Sequence, residues 1–103
     1  MKNRIDQLQD FIKEDPDDPV LRYLLALEYR SSDPRRSRDL FLQLLEHHPE
    51  YLPVYYITAE LLLELDEKDQ ARELIRRGIT KAEMNGDHKT STELKNLEEN
   101  NLT

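Results

Sequence analysis

Apolar residues come along this chain in short, evenly spaced groups, and proline or acidic turn residues separate them. The breaks fall at Asp15-Pro16-Asp17-Asp18-Pro19, Asp33-Pro34, His48-Pro49 and Leu52-Pro53, where an X-Pro step disfavours a continuing helix. The first segment, about Lys2 to Glu14, places Ile5, Leu8, Phe11 and Ile12 on one apolar stripe. Asp17 or Asp18 caps the next helix, with Pro19 in its first turn, and the pattern carries it to Ser31 through Val20, Leu21, Leu24, Leu25 and Tyr29. Asp33 is the expected N-cap of a third helix, Pro34 to His47, that buries Leu40, Phe41, Leu44 and Leu45. The fourth, about Leu52 to Leu65, is apolar on nearly every side and therefore predicts a helix sandwiched between neighbours. Asp66 is expected to cap a fifth helix that carries Ala71, Leu74, Ile75 and Ile79 to Met84, where Asn85-Gly86 supplies a left-handed stop. The last segment, Asp87 to Asn100, has a narrow seam of Leu94 and Leu97, with Leu102 beyond it, and reads as a lid with a wettable outer face.

Composition supports the helical reading. Leu, Glu, Arg, Lys and Gln dominate, and only Gly78 and Gly86 are glycine. The 103 residues suit one domain, and the 37% apolar and 36% charged content suits a thin architecture in which each helix keeps one wet face. A formal charge of -7 argues against a nucleic-acid partner. Arg35, Arg36 and Arg38, with Arg72, Arg76 and Arg77 later, form basic clusters without interleaved aromatics and are expected to be solvated outer-face arginines. The chain has no cysteine, which excludes disulfides and thiolate sites. Met1 to Gln7 lack the apolar run of a secretory signal, and no stretch approaches the length of a membrane span. The expected setting is the cytoplasm, with no membrane partner.

The segments also repeat. Pro16 to Pro49, Tyr23 to Tyr56 and Ala26 to Ala59 are each 33 residues apart, and Phe41 to Ile75 is 34. Two helices per period of this length resemble the tetratricopeptide repeat, with its pattern W-x2-L-G-x2-Y, then A-x3-F, then P. In residues 17–50, Arg22, Leu25, Ala26 and Tyr29 fall on the W, L, G and Y places, Ser37 and Phe41 on the A and F places, and Pro49 on the proline. In residues 51–84, Tyr55, Thr58, Ala59 and Leu62 take the first four places and Ala71 and Ile75 the next two, with Gly78 at a third small-residue place. Residues 2–16 read as the second helix of an incomplete unit, with Leu8 at the F place and Pro16 at the proline, and residues 87–100 read as a capping helix. Arg22 departs from the large aromatic of the family, Leu44 from its small residue, and Glu83 from its second proline. The resemblance implies an all-α fold for the whole chain, a short right-handed α-solenoid of antiparallel helix pairs with about six helices.

The same resemblance implies a function. In that family the first helix of each pair lines a concave surface that grips a peptide or a partner's helix. Here that lining is Tyr23, Leu27 and Arg30 on the second helix and Tyr56, Glu60 and Leu63 on the fourth, while Leu21, Leu24, Leu25 and Tyr29 are the core-facing set. Two tyrosines and two leucines offer apolar contact with polar handles, and Arg30 and Glu60 offer charge for orientation. One subclass clamps a C-terminal carboxylate with lysines and asparagines; the matching places hold Tyr23, Leu27 and Ile57, so that clamp is missing. Two arrangements compete with a free groove. The terminal helices could cover the stripe, or a second copy of the chain could pair through it as a homodimer.

Catalysis finds no support in the spacing of reactive residues. His47 and His48 are adjacent, so on a helix they point about 100° apart and do not chelate one metal together. His88 is isolated. Asp15, Asp17 and Asp18 are interrupted by Pro16 and Pro19 and read as a capping turn in place of a calcium loop. Ser31, Ser32, Ser37 and Ser91 have no histidine and acid at nucleophile spacing, and no Gly-rich phosphate loop exists. The expectation is a non-enzymatic protein-binding scaffold without catalytic residues, metal or cofactor.

Overall fold

The computed structural model describes residues 2–102, which form six α-helices and, among the described residues, no strand. Two compact units divide the chain between His48 and Pro49. Unit 1 holds α1 (Arg4–Glu14), α2 (Pro19–Tyr29) and α3 (Pro34–His47), with α1 and α3 each packed on α2. Unit 2 holds α4 (Pro53–Glu64), α5 (Lys68–Met84) and α6 (His88–Leu102), all three in mutual contact.

The turn chemistry of unit 1 follows from its acidic and proline residues. Asn3 caps α1 by accepting the Asp6 N–H at 2.8 Å. Asp18 and not Asp17 caps α2, accepting from Val20 at 2.9 Å, and Asp33 caps α3, accepting from Arg36 at 3.2 Å. Pro19 and Pro34 each open their helix, where the missing N–H costs nothing. Helix α2 stops at Tyr29, short of Ser31, and the Tyr29 carbonyl accepts from the Asp33 N–H at 2.7 Å.

The apolar stripe of α1 is narrower than its composition suggests. Leu8 is buried, Ile5 and Ile12 are half-buried, and Phe11 is 50% exposed. Phe11 lies about 100° around the helix from Ile12, so it falls at the edge of the packed face. In α2 the buried pair is Leu25 and Ala26, whereas Leu21, Leu24 and Tyr29 are half-buried. Leu40 of α3 is likewise half-buried, leaving Ser37, Phe41, Leu44 and Leu45 as the buried set. Ser37 stands against Ala26, and its hydroxyl donates to the Ala26 carbonyl at 2.6 Å. That carbonyl belongs to the last turn of α2, where helices leave acceptors without partners along their own axis.

Unit 2 is built around α4, which buries Val54, Tyr55, Thr58, Ala59, Leu61 and Leu62. Thr58 lies on the W-L-G-Y face at the L place, and its hydroxyl is fully buried with no hydrogen-bond partner among the described residues. Asp66 does not cap α5. It sits in the left-handed region at φ 60° and closes α4, because the Asp66 N–H donates to the Leu63 carbonyl and the Glu67 N–H to the Leu62 carbonyl. Helix α5 therefore begins at Lys68, and Asp69 lies in its first turn, where the dipole favours an anion. Gly86, at φ 72°, closes α5 in the same manner: the Gly86 N–H donates to Glu83 and the Asp87 N–H to Ala82. Asp87 then starts α6 by accepting both the N–H and the hydroxyl of Thr90, at 3.0 and 2.7 Å.

Helices α4, α5 and α6 come close together at Gly78. A methyl group there would lie 2.8 Å from Leu94 Cδ1 and 2.9 Å from Tyr55 Cβ, so the missing side chain lets α4, α5 and α6 converge. Glu83, at the position of the absent proline, binds Lys95 of α6 at 3.0 Å, and Arg76 binds Glu98 at 3.2 Å. The Lys95 ammonium, followed by Ser91 and His88, holds the Glu83 carboxyl below its ordinary range. The Thr90 hydroxyl and N–H do the same for Asp87.

Two glycine substitutions separate steric from backbone effects. Gly78→Ala is expected to cost about 2 kcal/mol despite the better helix propensity of alanine, because overpacking dominates. Gly86→Ala has open space around it and is expected to cost about 1 kcal/mol from the left-handed backbone alone. Chemical denaturation of the two variants measures the difference. For Asp87 the folded pKa lies below the ordinary value of 3.8, so its contribution is complete above that pH and is lost as pH falls through the folded value. Amide protection at Thr90 and Ser91, measured relative to the intrinsic exchange rate at each pH, should fall in acid in the wild type, and Asp87→Ala should show the lower protection already at neutral pH.

Candidate partner-binding stripes and the cavity beside Arg22

The six residues expected to bind a partner fall three in each unit. On α2, Tyr23 and Leu27 are half-buried, and Arg30 is the residue that ends the helix. The Tyr23 ring meets Phe41 edge to face, with centroids 5.7 Å apart and planes at 63°. One edge of Tyr23 is therefore fixed by the buried core of unit 1 while the remainder stays accessible. On α4, Tyr56, Glu60 and Leu63 share one face at spacing i, i+4, i+7 and are all half-buried. Neither α1 packed on α2 nor α6 packed on α4 buries these side chains.

A second feature of α2 has no counterpart in the expected site. Arg22 holds the place where the repeat pattern has a large aromatic, and its Nε and Nη2 donate to the Pro16 carbonyl at 3.2 and 3.0 Å. In unit 2 the equivalent residue is Tyr55, whose hydroxyl donates to the Pro49 carbonyl at 2.5 Å. Both donors reach the carbonyl of the proline six residues earlier, so one anchoring bond recurs with the 33-residue period. The consequences differ in volume. Tyr55 is completely buried, and burial pushes its phenol pKa up against an opposing pull from Arg77. The Arg22 side chain is exposed, and a cavity of about 330 Å³ adjoins it, walled by Pro16, Leu25, Leu40 and Leu44 with Asp17, Gln43, His47 and His48 at its polar parts.

Other candidate groups are dispersed. His47 Nδ1 lies 2.9 Å from the Gln43 carbonyl, an interaction within its own helix. Among the described residues no three His, Asp or Glu side chains are grouped to hold a metal ion. The Asp15 to Asp18 segment is a capping turn, with Asp18 committed to α2. Arg35, Arg36, Arg76 and Arg77 are exposed, and Arg36 stacks over the Tyr29 ring at 5.0 Å. The α5 arginines meet carboxylates: Arg72 approaches Asp69 of the same helix at 3.4 Å, and Arg76 pairs with Glu98 of α6. No described helix is long and apolar enough to cross a membrane.

No family model matches the chain, and no curated protein matches it significantly. Solved structures do. The solution structure of a tetratricopeptide repeat domain protein from Salinibacter ruber shares 34% identity at a TM-score of 0.79, over 85% of this chain and 90% of that one. A crystal structure of a tetratricopeptide repeat domain protein from the same organism shares 34% identity at a TM-score of 0.71, over 79% and 91% of the two chains.

The anchoring bond of unit 2 can be removed without changing its volume. Tyr55→Phe is expected to lower stability by about 1 kcal/mol, the net value of one hydrogen bond whose acceptor keeps access to water. The raised folded pKa adds a pH signature: Tyr55 binds its proton more tightly folded than unfolded, so its contribution is complete below pH 10.0, the ordinary phenol value, and declines above it. Thermal unfolding should therefore show an alkaline loss of stability that is smaller in Tyr55→Phe than in the wild type.

Proposed function

This chain belongs to the tetratricopeptide repeat family, and on that premise we propose that it is a non-catalytic protein-interaction module gripping a peptide or a partner's helix. Tyr23, Leu27 and Arg30 of unit 1 and Tyr56, Glu60 and Leu63 of unit 2 carry the contact. The fold is one that generally mediates protein–protein interaction, although a fold by itself does not select a ligand.

The observation that carries the reading is the state of the two tyrosines. Each is half-buried after its own unit has packed, so it is held in place without being covered. Large aromatic side chains that are immobilised before binding lose little conformational freedom on contact and are the residue types that dominate interface energy. Tyr23 is further oriented by Phe41. Arg30 and Glu60 put opposite charges on the two stripes, which suits a partner with both an acidic and a basic element.

Affinity capture on the wild type and on a Tyr23→Ala, Tyr56→Ala double variant tests this reading. Circular dichroism first establishes that the variant folds. Loss of two aromatic anchors should weaken partner retention about tenfold or more. Identical partner sets at equal yield would exclude the stripes as the binding surface. Sedimentation equilibrium over a range of concentration addresses self-association: a mass that stays monomeric at all concentrations removes the homodimer as the occupant.

A further inference from the structure

Asn85 and Gly86 lie in the turn that joins α5 to α6, and both are exposed. A carboxamide side chain followed by glycine is the arrangement most open to attack by the next backbone nitrogen, because no Cβ on the second residue blocks the approach. A Cβ built at Gly86 would meet nothing within 4 Å, so the packing around the turn adds no obstruction. The other asparagines, Asn3, Asn96, Asn100 and Asn101, precede Arg4, Leu97, Asn101 and Leu102, each with a side chain in the way. We propose that Asn85 is a site of self-modification: it deamidates through a cyclic imide formed with Gly86, at a rate set by how often the closed turn opens, and the product uncaps α6. This holds whether or not the Tyr23 and Tyr56 stripes bind a partner.

The reaction needs no reagent but water. The Gly86 nitrogen gives up its proton and bonds to Asn85 Cγ, while the Cγ–Nδ2 bond breaks and the amide nitrogen leaves as ammonia. Water then opens the imide at one of its two carbonyls. Opening at Cγ yields aspartate, and opening at the backbone carbonyl yields the isoaspartyl form, in which the chain runs through the side chain and gains one carbon. The closed turn holds the first step back. Asn85 has φ -93° and ψ 0°, which puts the Gly86 nitrogen roughly 120° around the Cα–C bond from Asn85 Cβ, by the tetrahedral geometry of Cα. Ring closure requires the two to be nearly eclipsed. That rotation breaks the bonds from the Gly86 N–H to the Glu83 carbonyl, at 3.1 Å, and from the Asp87 N–H to the Ala82 carbonyl, at 2.8 Å. Both lie at a helix end, where local opening costs far less than unfolding. The product then sets a carboxylate at the negative end of the α5 dipole. The added backbone carbon of the isoaspartyl form displaces Asp87, whose carboxylate accepts the N–H and hydroxyl of Thr90.

The full chain is incubated in mildly alkaline buffer, folded and in guanidinium chloride, and the acid formed at each asparagine is quantified by peptide mass spectrometry. Asn85 is expected to be the leading site in both, with the folded rate at least about tenfold below the unfolded one. In Asp87→Ala the folded rate, divided by that of the same variant in guanidinium chloride, should rise about fivefold, because loss of the α6 cap eases opening of the turn. In the isoaspartyl fraction separated from aged wild type, amide protection at Thr90 and Ser91 should be lower by about tenfold. The proposal is overturned if another asparagine leads in the folded chain, or if the folded and unfolded rates at Asn85 agree. It is equally overturned by an unchanged rate ratio in Asp87→Ala, or by isoaspartyl chains that keep the wild-type protection. The comparison of folded with unfolded wild type involves no substitution, so it decides the matter even where the variant does not fold.

Discussion

Everything in this chain rests on how closely two helix axes can approach, and that distance is governed by the smallest side chains at each contact. In unit 2 the contact point is Gly78, where even one added carbon would lie within 3 Å of both Leu94 and Tyr55. In unit 1 it is Ala26 facing Ser37, close enough for the serine hydroxyl to bond the alanine carbonyl at 2.6 Å. Around these contacts the large residues find their places: Phe41, Leu44 and Leu45 in one unit, Tyr55, Leu62, Ile75 and Leu94 in the other. A wider spacing would leave these side chains without contact partners, because protein interiors tolerate few voids. Helix pairing, core packing and the orientation of the exposed faces are thus consequences of one steric condition.

A second constraint is polar. Pro16 and Pro49 each precede a helix whose side chain donates to the proline carbonyl, and a partly buried carbonyl needs a donor. Arg22 supplies two N–H groups to Pro16, and Tyr55 supplies one hydroxyl to Pro49. The bond is conserved between the repeats while the side chain that makes it is not. An arginine can satisfy the acceptor from the solvent edge because its charged end stays hydrated. A tyrosine reaches it only by burying its ring. Two different side chains therefore meet the same backbone requirement, one from the solvent edge and one from the core.

Helix ends show where local sequence patterns succeed and where they mislead. Asp18, Asp33, Asn3 and Asp87 all cap helices through their side chains, as short polar residues before an apolar run should. Asp66 has the same residue type in the same kind of context, yet it terminates α4 in a left-handed conformation. Aspartate is among the few residues that fill both roles, and which one is adopted depends on whether Leu62 and Leu63 offer their carbonyls at that point. Periodicity places Phe11 and Leu40 on apolar stripes, yet Phe11 is exposed and Leu40 half-buried. Periodicity locates the apolar face, but the width of the face that packs depends on the partner helix. The candidate stripes were legible as residues at heptad-like spacing on α2 and α4, whereas the contact of Tyr23 with Phe41 and the cavity beside Arg22 involve a second helix and have no signature on α2 alone.

By itself the sequence determined the helical composition, the six segments and their order, the 33-residue period and the small residues that mark each close contact. These follow from interactions between residues near each other along the chain: turn formation, capping, and the alternation of apolar and polar positions at helical spacing. Only the tertiary structure decided which members of each apolar face are covered, which aspartate starts a helix and which stops one, that Thr58 is buried without a hydrogen-bond partner among the described residues, and that a cavity adjoins Arg22. Those outcomes depend on the shape of a neighbouring helix at one point. No local pattern encodes that shape, because the space left between two surfaces is a property of the pair.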